Sequence, residues 1–121
     1  MFCEDDETIE RFIRMTMRST PHEIRTAPDG LQGLALIQRL LPDLVVTDIS
    51  MPGLDGFGVA DAMHANPATA GIPILFATAS VQRTQVEQLI AHGAAGYIGK
   101  PFGAAELRAK IEQHLPKEHT A

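Results

Sequence analysis

Four groups of residues in this chain could act on one substrate. They are the acidic run Glu4-Asp5-Asp6, Asp48 within Thr47-Asp48-Ile49-Ser50-Met51-Pro52-Gly53, the hydroxyl of Thr78, and Lys100 before Pro101 and Phe102. Each follows a short apolar run: Met1-Phe2-Cys3, Leu44-Val45-Val46, Ile74-Leu75-Phe76-Ala77 and Tyr97-Ile98. Apolar runs of this length, rich in β-branched residues, read as strands buried on both faces. Acids at the carboxyl ends of such strands lie where α/β proteins put their chemistry. Clustered carboxylates repel one another until a proton or a cation relieves them. Oxygen ligands of this kind suit Mg²⁺. A lysine and a hydroxyl beside them supply a point charge and a hydrogen-bond donor for an anion. Metal, lysine and hydroxyl around one carboxylate can together support phosphoryl acceptance on that carboxylate.

The elements that must position these groups alternate two periodicities. After the strand at Phe2-Cys3, residues Ile9, Phe12, Ile13, Thr16 and Met17 form an amphipathic helical stripe that closes near Pro21. Glu23 to Ala27 alternates like a strand and ends at Pro28-Asp29-Gly30. Leu31, Leu34, Ala35, Ile37 and Leu41 predict a second helix, stopped before Pro42. Beyond Asp48, Phe57, Val59, Ala60 and Met63 predict a third helix that fades at Asn66-Pro67. A loop from Ala68 to Pro73 leads to the strand from Ile74 to Ser80. A fourth helix is expected from Gln82 to His92 with Val86, Leu89 and Ile90 inward, stopped at Gly93. A fifth strand runs from Ala95 to Ile98. A fifth helix from Ala104 to Leu115 presents Leu107, Ile111 and Leu115 on one face, ahead of a polar tail.

Five strands alternating with five helices predict an α/β fold, a doubly wound five-stranded parallel sheet with helices on both faces. Right-handed crossovers favour the flavodoxin-like order 2-1-3-4-5. Its switch point falls between the first and third strands, so the topology brings Glu4-Asp5-Asp6 beside Asp48.

Composition narrows the function. At 121 residues, 45% hydrophobic and 21% charged, the chain is expected to be one domain over residues 1–115, with 116–121 as a polar tail. A net charge of −5 disfavours a nucleic-acid surface, which needs a basic stripe. The single cysteine, Cys3, can form no internal disulfide and reads as a core residue. The five histidines lack metal-ligand spacing and read as surface or packing residues. No apolar run approaches the roughly 18 residues of a membrane span, and no signal-peptide pattern appears, so a cytoplasmic location is expected. Asp6 and Glu7 suit the positive end of the first helix, and Asp55 suits a turn or cap. Gly53 and Gly56 need only the turn to explain them.

In combination, Glu4-Asp5, Asp48-Ile49-Ser50-Met51-Pro52-Gly53, Thr78-Ala79 and Lys100-Pro101-Phe102 resemble the receiver domain of bacterial two-component response regulators, in a single-domain, CheY-like form. The resemblance covers Glu4 to about Leu115. It implies that Asp48 is the phospho-acceptor. It implies that Asp5 is a direct Mg²⁺ ligand, with Glu4 acting through water and the Ser50 backbone carbonyl as a third ligand. It implies that Lys100 contacts a phosphoryl oxygen, and that Thr78 is the switch hydroxyl with Tyr97 as its aromatic partner. The acidic pair can be Glu4-Asp5 or Asp5-Asp6; counting back from Ile9 and Phe12 favours the first.

The expected donor is a sensor histidine kinase or a histidine phosphotransfer protein, engaging the first helix near Glu10, Arg11, Arg14 and Met15 together with Phe102. The expected readout is a protein target on the face formed by helix four, strand five and helix five. Neither direct nucleic-acid contact nor a membrane is expected. The protein is not expected to be an enzyme beyond self-catalysed phosphoryl acceptance and loss. Small residues at Ser50 and Ser80 are expected to leave the phosphoryl group open to water. A phosphorylation-independent interaction module, or a receiver belonging to a hybrid kinase or larger regulator, is the alternative. A flavodoxin would need a phosphate loop where the acids stand. A haloacid dehalogenase-type phosphatase would need an acid where Ser50 stands.

Overall fold

The computed structural model describes residues 1–18, 20, 22–51, 53–78 and 83–115, with side chains at all of these except 83–85. The predicted alternation is realised as β1 (Phe2–Cys3), α1 (Glu7–Met17), β2 (Thr26–Ala27), α2 (Gly30–Leu40), β3 (Val45–Asp48), α3 (Gly56–Ala65), β4 (Ile74–Thr78), α4 (Arg83–Ala91), β5 (Gly96–Gly99) and α5 (Ala104–His114). The five strands form one parallel sheet in the order β2-β1-β3-β4-β5. This is the doubly wound arrangement expected from the sequence.

Successive strand residues point to opposite faces, and the core divides accordingly. Phe2, Val46, Leu75, Ala77 and Ile98 pack with Ile13 and Met17 of α1 and Leu107 and Ile111 of α5. Cys3, Ala27, Val45, Ile74 and Phe76 pack with Ile37 of α2, Val59, Ala60 and Met63 of α3, and Leu89 of α4. Helices therefore cover both faces, which is why the strands read as unbroken apolar runs rather than alternating ones.

Helices α1, α2 and α3 start on carboxylate N-caps. Asp6 accepts from the Thr8 and Ile9 amides, Asp29 from Gln32 and Asp55 from Gly58, each satisfying a donor the helix leaves free. The role foreseen for Asp55 holds. Helix α2 ends on Leu41, whose φ of 49° is left-handed, ahead of Pro42.

Three expectations change. β2 covers Thr26–Ala27 rather than Glu23–Ala27, because its only partner is β1, which offers two residues. In α2, Leu31 and Leu41 are exposed, while Gly30, Gly33 and Ile37 are buried. A Cβ on Gly33 would run into Cys3 Sγ, so the missing side chain is what lets α2 lie against β1. Ile90, expected inward on α4, is exposed; among the described side chains of that helix Leu89 is the buried one. Strand β4 is described over Ile74–Thr78, and Ala79 and Ser80 lie outside the described residues.

Candidate functional site

The carboxyl edge of the sheet gathers the chemistry-bearing residues. Glu4 follows β1, where its amide donates to the Ala27 carbonyl at 3.0 Å and so continues the ladder to β2. Asp48 is the last residue of β3 and Thr78 the last of β4. Lys100 follows β5, and its amide donates to the Thr78 carbonyl at 2.7 Å. Because the strands are parallel and adjacent, all four residues stand at one edge of the sheet, where the side chains of Glu4, Asp48 and Lys100 meet.

Lys100 Nζ bridges two carboxylates there, 3.0 Å from Asp48 Oδ2 and 3.1 Å from Glu4 Oε1. All three side chains are largely withdrawn from water. Glu4 also accepts from the Asp6 amide at 3.3 Å. Burial pushes the Glu4 carboxyl above its usual pKa, opposed in part by Lys100 and reinforced by the nearby charge of Asp48. Burial works against the Lys100 charge, but its bonds to Asp48 and Glu4 outweigh that and raise the pKa above the usual lysine value.

Glu4, Asp5 and Asp48 each bring a carboxylate oxygen within 4.8 Å of the others. Three anionic oxygens converging in a crevice form a donor set for a hard divalent cation such as Mg²⁺, and Asp5 faces solvent, where such an ion keeps its waters. The residues present fit that ion. Of the acidic run, Asp6 caps α1, and the carboxylates that lie near Asp48 are those of Glu4 and Asp5.

Ser50 lies exposed in the loop two residues beyond Asp48. Thr78 is buried at the end of β4. Tyr97 stands apart from the crevice, paired in register with Phe76 rather than Thr78, half-buried and with Lys110 Nζ 5.8 Å from its ring centroid. Phe102, beyond Lys100-Pro101, meets the partly exposed Phe12 of α1 with ring centroids 6.0 Å apart.

Gly56 is a site residue whose reach the sequence did not disclose. A Cβ there would run into the Asp48 backbone carbonyl and the Ile49 Cα, so the start of α3 packs directly against the backbone of Asp48. The Gly56 amide donates to the Ile49 carbonyl at 2.8 Å, closing the loop. The only sequence signal was an Asp-Gly pair, which a plain turn accounts for equally well.

A 2-1-3-4-5 parallel sheet with acids and a lysine at its switch point defines the CheY-like class of α/β proteins. Among solved structures, the chemotaxis protein CheY4 of Vibrio cholerae superposes with a TM-score of 0.89 at 27% identity, covering 94% of this chain and 95% of that one. A response regulator from Chloroflexus aurantiacus gives 0.86 at 29% identity, covering 93% and 92%. The family model for the response regulator receiver domain matches residues 1–112, and the chain belongs to that family of two-component signalling proteins.

Among curated relatives, the transcriptional regulatory protein RprY of Bacteroides fragilis is 36% identical over 115 residues. The DNA-binding dual master transcriptional regulator RpaA of a Synechocystis strain is 32% identical over 115 residues. Each alignment covers 95% of this chain and 48% of the relative, so the chain spans about half the length of these relatives. Among the described residues, no helix is long and apolar enough to cross a membrane.

Proposed function

We propose that the protein accepts a phosphoryl group on Asp48 from the phosphohistidine of a sensor kinase or phosphotransfer protein, and thereby switches a protein-docking surface. The observation that carries this reading is the Asp48 carboxylate held 3.0 Å from Lys100 Nζ in a crevice it shares with Glu4 and Asp5. In the transfer, an Asp48 oxygen attacks phosphorus, the phosphorus–nitrogen bond breaks, and its electron pair stays with the departing imidazole. Glu4, Asp5 and Asp48, with the Ser50 carbonyl, would hold Mg²⁺, whose positive charge stabilises the transferring oxygens when bound. As Asp48 is phosphorylated, Lys100 turns from the carboxylate to a phosphoryl oxygen.

The Thr78 hydroxyl stands on the strand next to Asp48 and would move to bond the new phosphoryl group. Tyr97, on β5, would turn inward as Thr78 moves. The two motions would shift a pre-existing equilibrium of the α4-β5-α5 face, where a protein partner docks. Acceptance is stoichiometric and self-catalysed rather than enzymatic turnover, and a cytoplasmic location follows from the partner. DNA binding, named for the relatives, is not needed for this readout, and the net charge of −5 favours a protein partner for this domain. The small exposed Ser50 leaves the phosphoryl group open to water, so Ser50→Arg is expected to slow its hydrolysis.

The decisive experiment is intact mass after incubation with acetyl phosphate and Mg²⁺. The expected result is a labile gain of one phosphoryl group, absent in Asp48→Asn and abolished by EDTA. An unmodified wild type under the same conditions overturns the reading.

A further inference from the structure

Tyr97, the aromatic of the proposed switch, stands on β5, the terminal strand of the sheet. The register pairs Tyr97 with Phe76 and Gly99 with Thr78, so Tyr97, Phe76 and Thr78 share one face. On that face Tyr97 packs against the cluster formed with α2, α3 and α4. Helix α5 covers the other face, where Leu107 and Ile111 are buried with Ile98. Lys110, the neighbour of Ile111, nevertheless sets its Nζ 5.8 Å from the Tyr97 ring centroid. With helix and ring on opposite faces, the lysine stem must pass around the edge of β5 to make this contact.

The last turn of α5 is seated beside the tyrosine. His114 Nδ1 lies 2.8 Å from the Lys110 carbonyl oxygen. The same ring fills the space that a side chain on Gly96 would need, a Cβ there lying 2.9 Å from His114 Nε2. Gly96 directly precedes Tyr97, so the helix turn that carries Lys110 rests on the strand at that point. An ammonium over an aromatic face is drawn to the ring's negative quadrupole. The attraction lasts only while the ring stays at the edge of the sheet. Thr78 lies on β4, the inner neighbour of β5, so a ring that turns toward Thr78 leaves the lysine behind.

We infer that Lys110 is a positioning residue for the switch: given the Thr78–Tyr97 motion proposed above, its ammonium holds the Tyr97 ring outward and biases the resting equilibrium against the active state. Lys110 acts through Tyr97 and not on the reacting atoms. A group that favours one of two states shifts their ratio by its differential attraction and no more. Both side chains are part-buried, and a cation over a ring in such a setting changes the ratio about two- to fivefold. Removing the charge therefore raises the fraction of the active conformer. Apparent affinity for a phosphoryl mimic rises by the same factor, because less of the binding energy is used to shift the population.

The test is a beryllofluoride titration in Mg²⁺, read by fluorine NMR for bound anion and by tyrosine emission for the switch. Tyr97 is the only tyrosine in a chain without tryptophan, so the emission reports that ring alone. Lys110→Met keeps the stem and removes the charge. It is expected to lower the titration midpoint about two- to fivefold and to move the resting emission toward the bound value. Lys110→Arg, which keeps a cation, is expected to match the wild type. The midpoint shift is expected to survive in a Tyr97→Phe background, which keeps the ring, and to vanish in Tyr97→Leu. An unchanged midpoint in Lys110→Met overturns the inference. So does an equal shift in the Tyr97→Leu background, which makes the charge act without the ring. Bound beryllofluoride with no change in emission overturns the inference and leaves phosphoryl acceptance standing. No bound beryllofluoride in the wild type overturns both.

Discussion

At the carboxyl edge of the sheet, charge is concentrated and the backbone beneath it is tightly packed. Glu4, Asp48 and Lys100 are in direct contact, and Gly56 carries no side chain because there is no room for one beneath the Asp48 carbonyl. At the amino edge apolar side chains predominate around a cavity of about 310 Å³, joined by His22, Glu23, Arg25, Asp43 and the Met1 nitrogen. Both edges belong to the same strands, so the difference is not one of fold. The carboxyl edge is fixed by electrostatics that need several partners at once, whereas the amino edge is bounded mainly by apolar side chains around open space. β1 connects the two, with Glu4 at one end and the Met1 nitrogen at the other.

The largest effect should come from breaking the carboxyl edge at its cation. Lys100→Ala leaves Glu4 and Asp48 facing each other without their shared partner. Loss of one positioned charge from a water-poor site costs about 10²–10³ in rate. Phosphorylation of Asp48 by acetyl phosphate, followed by intact mass over time, should slow by that order. Retention of the wild-type rate would detach Lys100 from the chemistry.

Cys3, on β1 midway between the edges, should be nearly as strongly affected in its own reaction. Burial raises its thiol pKa from 9.0 to about 11, opposed in part by a bond to Thr47. At pH 8 the folded protein then holds about 100-fold less thiolate than a free thiol, and labelling by a thiol reagent should slow at least that much relative to the unfolded chain. The sign of the linked stability follows. An acid whose folded pKa lies above its unfolded value contributes fully below pH 9.0 and loses that contribution as the pH rises through about 11. Cys3→Ala should therefore show a shallower loss of stability across that alkaline window.

Volume sharpens the comparison directly. Gly56→Ala adds one methyl where the Asp48 and Ile49 backbone already stands, and overpacking of this kind costs about 1–3 kcal/mol. Val46→Ile adds the same methyl beside the groove and should cost less than about 0.5 kcal/mol or stabilise. Chemical denaturation of both variants measures the pair. Equal losses would mean that the amino edge is packed as tightly as the site.

Much of this was legible from residue types alone. Strand order followed from the alternation of short apolar runs with helical stripes. The site followed from four polar groups each placed where such a run stops. What escaped has a common physical cause: glycine gives no hydrophobic signal. Gly30 and Gly33 form the buried side of α2, yet Leu31 and Leu41 dominated the pattern and are exposed. Gly56 looked like turn chemistry and is a packing contact against the Asp48 backbone. The shortness of β1 was visible, but its consequences were not, because a two-residue β2 and an open groove are properties of pairing rather than of composition. Lys100 was expected beside Asp48; its second bond, to Glu4, needed the strand ends in three dimensions.

The smallest expected effect separates two jobs within the acidic run itself. Asp6 accepts from the Thr8 amide at 2.8 Å and from the Ile9 amide at 3.4 Å, so its carboxylate terminates α1. Asp5, its neighbour, is exposed and brings an oxygen within 4.8 Å of Glu4 and Asp48. Removing a cap of this type costs about 1 kcal/mol, so Asp6→Ala should lower stability by that amount while Mg²⁺ affinity changes little. Asp5→Asn should do the opposite, leaving unfolding within about 0.5 kcal/mol of wild type, since exposed substitutions rarely do more, while weakening Mg²⁺ binding. Urea denaturation in EDTA and a Mg²⁺ titration on both variants read the two effects separately. If Asp6→Ala also lost the ion, the cap and the metal site would share one carboxylate, and the pair serving the crevice would be Asp5 and Asp6 rather than Glu4 and Asp5.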